Sequence, residues 1–142
     1  MSPKYTNRLL KIATNRITRD LDQFAKKYDT TWLQMSVIDY LSRQDKNTEV
    51  YQRDLENEFF IQRSTATVLL QRMERSGFLY RQSSTTDARQ KSVYLTDKAH
   101  DLEAQIDHFM KRRQEILEEN FSPADIKTFE KILNFYITAE EV

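Results

Sequence analysis

Gln71 carries a side-chain amide that donates and accepts at once, which is what the major-groove edge of an adenine asks for. It lies in QRSTATVLLQRMERS, residues 62–76, with the hydroxyls of Ser64 and Thr67 and with Val68, a side chain that can touch a thymine methyl. Read as a helix, this run puts Ala66, Leu69, Leu70 and Met73 at i, i+3, i+4 and i+7 on one face. Ser64, Thr67, Val68, Gln71 and Arg75 fall on the opposite face. A solvated helix face ordinarily carries Glu and Lys, which pair along it. This face has neither. Short, uncharged side chains let a backbone approach what it reads, and Arg63 and Arg72 flank the face, where phosphates would run. Taken alone, the same face would equally serve a protein contact or be neutral surface.

A second group follows in SSTTDARQK, residues 83–91, between the alternating runs FLYRQ and SVYLT. Ser84, Thr86 and Lys91 can contact phosphate oxygens, as can Arg75 at the end of the preceding run. Asp87 stands two residues before Arg89 and can accept from its guanidinium, holding it extended. An oriented arginine suits the narrow, strongly negative minor groove. Elsewhere an Asp-x-Arg in a turn is a surface ion pair worth little. Here it occupies the tip of the one hairpin in the pattern, just after Gly77, the only glycine in the chain.

Other chemistries have little to stand on. With no cysteine there are no disulfides, no thiol-based sensing and no cysteine-ligated zinc. His100 and His108 are eight residues apart, about 80° around a helix, and read as structural or surface histidines rather than metal ligands. No Gly-rich phosphate loop, GxSxG or HExxH occurs, so no enzyme is expected. No stretch approaches the length of a membrane span and no signal-type apolar segment opens the chain, so a cytoplasmic protein is expected. Net charge is zero, 22 basic against 22 acidic side chains, but unevenly spread. Residues 62–91 hold six Lys/Arg against two acids, and residues 101–142 hold ten acids against five Lys/Arg. The local field, not the total, steers a polyanion.

The elements that must hold these groups are mostly helices. Residues 4–28 repeat apolar positions at steps of three and four, from Leu9 to Tyr28. A second helix starts at TTWLQ, with Thr31 and Gln34 in capping-box spacing. TEV, residues 48–50, reads as a very short strand, followed by a short helix from Gln52 to Phe59 and a longer one from Gln62 to Ser76. Gly77 supplies the left-handed residue after it. A hairpin spans 78–95, Thr96 caps one long helix from Asp97 to about Asn120, and Ser122 with Pro123 opens the last. Short helix, three-residue turn, helix and hairpin make a winged helix-turn-helix.

At these residues the chain resembles a known family. Residues 54–99 are similar to the winged-helix core of MarR-type transcriptional regulators, most specifically at MERSGFLYR (73–81) and DARQKSVYLTDKA (87–99). The latter resembles the family's Asp-x-Arg wing and the strand ending in Leu-Thr-x-Lys-Gly. Ala99 replaces the glycine often found there, and Glu56 stands where alanine is common.

The resemblance implies a mainly helical chain with a small β-hairpin wing. It would form one domain, with residues 1–30 and 101–142 as dimerisation helices around a DNA-binding region at 31–100. The apolar side chains of 102–137 agree with a homodimer, since they exceed what a small winged helix can cover. Packing of those helices within one chain is the alternative. The family also implies double-stranded DNA as partner, at a pseudo-palindromic operator, repression of a promoter, and a small aromatic or anionic effector. Met35, Tyr40 and His100 are the candidates for the effector pocket. No cofactor is implied. The competing class is a winged-helix protein-interaction module, which would show a hydrophobic or acidic recognition face.

Overall fold

Side-chain oxygens open the helices. Thr31 Oγ1 accepts from the Gln34 N–H at 3.2 Å, Thr96 Oγ1 from the Ala99 N–H at 3.3 Å and Ser122 Oγ from the Asp125 N–H at 3.1 Å. Asp54 closes another start by accepting from the Tyr51 N–H at 2.8 Å. The computed structural model describes residues 5–139; the ends of the two expected dimerisation segments, 1–4 and 140–142, lie outside them.

The helices are α1 (Thr6–Lys26), α2 (Trp32–Ser42), α3 (Gln52–Phe59) and α4 (Arg63–Arg75). Strands β1 (Leu79–Ser83) and β2 (Lys91–Leu95) follow, then α5 (Asp97–His100), α6 (Glu103–Asn120) and α7 (Pro123–Thr138). The strands pair antiparallel with Leu79 opposite Leu95 and Arg81 opposite Val93. Tyr80 and Tyr94 stack on one face, ring centres 5.5 Å apart.

Gly77 takes a positive φ of 78° after α4. The carbonyls left over at that helix end are met from beyond the hairpin: Lys98 Nζ donates to the Ser76 oxygen at 2.7 Å and Thr96 Oγ1 to the Gly77 oxygen at 2.5 Å. Both ends of the hairpin are thereby closed onto α4.

Three expectations differ from the structure. TEV is not a strand: Val50 makes a single ladder-like bond, its carbonyl accepting from the Val93 N–H at 2.9 Å, before the chain turns into α3. The capping box at α2 is half made, because Gln34 Oε1 accepts from Thr30 Oγ1 at 2.9 Å. The long helix from Asp97 is broken at Asp101 and Leu102. There the Leu102 N–H bonds one residue short, to Ala99, before the regular pattern resumes from Ile106. Lys98 and Thr96 tie α5 to the end of α4, both α5 and α6 pack on α2, and Phe109 carries α6 on to Phe24 of α1.

Phe78, Met35, Ile38, Leu55, Leu70 and Met73 form the fully buried centre, where α2, α3, α4 and the base of the hairpin meet. Phe24 stacks on Phe109 with ring centres 3.8 Å apart and Trp32 meets Phe109 edge-on, joining α1 to α6. The outer helices are not covered in the same way. α6 buries only Ile106 and α7 only Ile126, and Phe135 is 67% exposed. Leu9, Ile12 and Ile17 of α1 are also exposed, and the Tyr136 hydroxyl donates to Asn7 Oδ1 at 2.7 Å, bringing α7 beside α1. Packing within one chain therefore leaves the outer apolar stripe open.

Candidate nucleic-acid interface

α4 turns its four core residues inward as the spacing requires: Ala66, Leu69, Leu70 and Met73 are buried. Ser64, Val68, Gln71 and Arg75 form an exposed row along the other side. Thr67 sits half-buried toward α3. Its Oγ1 donates to the Arg63 carbonyl at 2.9 Å and accepts from Gln52 Nε2 at 3.0 Å. The Thr67 hydroxyl is thus engaged within the chain.

A concave groove of about 580 Å³ lies between the N-terminal ends of α3 and α4 and the wing. Arg53, Arg63, Arg81, Arg89 and Lys91 line it against a single acid, Glu56. Arg63 and Lys91 were expected at such a surface, but Arg53 and Arg81 were not singled out. Arg53 is a lone cation within an otherwise acidic stretch, DLENE, and only the approach of the wing reveals it. Arg81 pairs with Glu74 at 2.5 Å, while its buried Nε has no hydrogen-bond partner. Arg72 and Arg75 are exposed without ion pairs among the described residues, but Arg72 turns away from this groove, toward α1 and α2.

At the wing tip, the Asp87 carboxylate accepts from the Arg89 backbone N–H at 3.1 Å and from its Nε at 3.2 Å. The Arg89 guanidinium beside Asp87 holds that carboxyl below its usual range. The Arg89 side chain is 90% exposed, so the brace orients it without covering it.

Ser84 differs from expectation. It is buried, its hydroxyl donates to Glu49, and its oxygen accepts from the N–H groups of Thr86 and Asp87 at 3.1 and 3.2 Å. That hydroxyl builds the turn and is not offered to a phosphate. Thr86 remains exposed, 3.1 Å from Ser84 Oγ.

The three effector candidates sit in different surroundings. Met35 is fully buried in the core, Tyr40 packs edge-on against Phe59, and exposed His100 contacts Glu103 at 2.6 Å across the break after α5. Burial raises the Tyr40 pKa, with Glu58 adding to it. A cleft of about 800 Å³ opens elsewhere, between α1, α2 and α4, lined by Thr18, Asp22, Trp32, Phe59, Val68 and Arg72.

The MarR family model matches residues 28–90. A transcription regulator MarR from Oenococcus oeni PSU-1 shares 50% identity over 95% of this chain and 100% of its own, with a TM-score of 0.83. The chain belongs to the MarR family. MarR-family proteins are transcription regulators, and this one is not an enzyme. The MarR fold recurs in MepR of S. aureus, solved as a DNA complex, at 18% identity over 95% of this chain and 96% of that one (TM-score 0.85). It recurs also in the transcriptional regulator SlyA, at 18% identity over 92% and 89% (TM-score 0.79). No curated protein matches the chain. No helix among the described residues is long and apolar enough to cross a membrane.

Proposed function

We propose that this MarR-family chain works as a homodimeric, sequence-specific repressor that binds double-stranded DNA at a pseudo-palindromic operator. The observation that carries the reading is the exposed row of Ser64, Val68 and Gln71 beside a groove lined by five cations and one acid. Such a row enters a major groove closely, while the cations meet the phosphates on its border.

Gln71 and Ser64 read base edges, with Val68 and the Thr67 methyl supplying apolar contact. Arg63, Arg75, Lys91 and Thr86 meet the backbone, joined by Arg53, and Arg89 braced by Asp87 enters the minor groove. MepR, which shares this fold, is solved as a DNA complex, which supports DNA as the partner. The open apolar stripe of α1, α6 and α7 is the dimer surface, and a two-fold there relates two α4 helices. A small effector would act from the cleft between α1, α2 and α4, because Val68 and Arg72 belong to both the cleft and the DNA-reading helix.

The test is selection of bound duplexes from random DNA at near-physiological salt. A two-fold motif with half-sites about 10 base pairs apart is expected. If no sequence enriches, specific DNA reading by α4 is wrong.

A further inference from the structure

Glu49, on the segment between α2 and α3, reaches across to the start of the wing turn, just past the end of β1. Its Oε1 accepts from the Thr85 N–H at 2.9 Å and from the Thr85 hydroxyl at 2.7 Å. Its Oε2 accepts from the Ser84 hydroxyl and from the Tyr51 hydroxyl, the latter at 2.9 Å. The path continues outward. Ser84 Oγ receives the Asp87 N–H at 3.2 Å, and Asp87 in turn receives the backbone N–H and Nε of Arg89. One chain of polar contacts therefore runs from the helix-turn-helix to the exposed guanidinium.

An acid beside a surface built for phosphates is otherwise a liability, since its charge repels what the cations attract. Here the four donors use that charge. The Ser84 hydroxyl first, then the Thr85 N–H and hydroxyl, hold the Glu49 carboxyl at about 2, well below an ordinary glutamate. It is ionised at any pH where DNA binding would be measured. A two-stranded ribbon is marginal by itself, and among the described residues only Glu49 and Tyr51 hydrogen-bond to the tip from outside the hairpin. An arginine already oriented loses less freedom on binding than one on a loose loop.

We infer that Glu49 is a positioning residue for DNA binding: it fixes the start of the wing turn so that Arg89 is presented to the minor groove in one orientation. The inference rests on the proposed DNA-binding function. A merely structural glutamate would stabilise the fold without acting through Arg89, and the two roles separate in a double-mutant cycle.

The experiment measures affinity for the selected operator in the full chain, for Glu49→Gln, Arg89→Ala and the double variant, with urea midpoints confirming that each is folded. Glutamine keeps the size but turns an amide N–H₂ toward a pair of donors. Arg89→Ala is expected to weaken binding by more than about tenfold and Glu49→Gln by about three- to tenfold. The double variant should be no weaker than Arg89→Ala alone, the non-additivity of residues acting as a unit. Additive losses, or an unchanged Glu49→Gln, overturn the inference. A second readout needs no DNA: the ¹H–¹⁵N heteronuclear NOE of the Arg89 amide in the free protein. It should fall in Glu49→Gln while α4 amides hold; an unchanged value also overturns the inference. If the wild-type chain selects no sequence, the functional reading fails while the NOE still decides whether Glu49 orders the tip.

Discussion

Residues on the proposed DNA-reading face of α4 and in the wing divide by whether their polar atoms are still free. Gln71 is exposed, and its amide makes no hydrogen bond among the described residues, so it can offer a donor and an acceptor to one adenine edge. Gln71→Ala should cost about 1–3 kcal/mol at one base position of each half-site and relax preference there. Binding to a panel of single-base operator variants checks this; an equal loss on every sequence would make Gln71 a phosphate contact. Thr67 and Ser84, alike in type to the free hydroxyls around them, are internally engaged. Residue type predicted the chemistry available at these positions but not whether the atoms were already spent. That depended on Gln52 and Glu49, 15 and 35 residues away in the chain.

Among the elements, the hairpin depends most on its closure. Gly77 makes the left-handed step out of α4, and the nearest atom to an added Cβ would be Lys98 Cδ at 3.9 Å, an ordinary contact. The cost of Gly77→Ala is therefore backbone conformation alone, about 1–2 kcal/mol, with no steric addition. Urea denaturation should show a lower midpoint at unchanged slope; an unchanged midpoint would mean that the step is not held left-handed in solution. The local signals were legible here because they are local: an oxygen three residues before the N–H it caps, a glycine after the last helical turn, apolar residues at steps of three and four. The break at Asp101 and Leu102 had no such signal. No glycine or proline marks it; it falls between α5, tied to the end of α4 by Lys98, and α6, which reaches α1 through the Phe24–Phe109 stack.

The whole molecule leaves one surface unfinished. Leu9, Ile12 and Ile17 of α1 and Phe129, Ile132 and Phe135 of α7 are exposed together with Ile116 of α6, and soluble monomers seldom expose so much contiguous apolar surface. Sedimentation at micromolar concentration should give twice the 17.0 kDa of one chain. Phe135→Asp should return the chain to a helical monomer and weaken operator binding, because one winged helix then meets one half-site. A wild-type monomer in that experiment would overturn the dimer.

The sequence by itself determined most of the elements, the order that makes a winged helix-turn-helix, the inward face of α4 and the Asp87–Arg89 brace. Each of these rests on residues within a turn or two of one another, where spacing alone sets geometry. Tertiary structure alone decided that Arg53 and Arg81 join the wing cations in one groove. It also decided that Met35 is fully buried in the core, and that Glu49 ends against Ser84 and Thr85. Those outcomes depend on how separate elements dock, and docking is set by the combined packing of the core, which no spacing in the chain encodes.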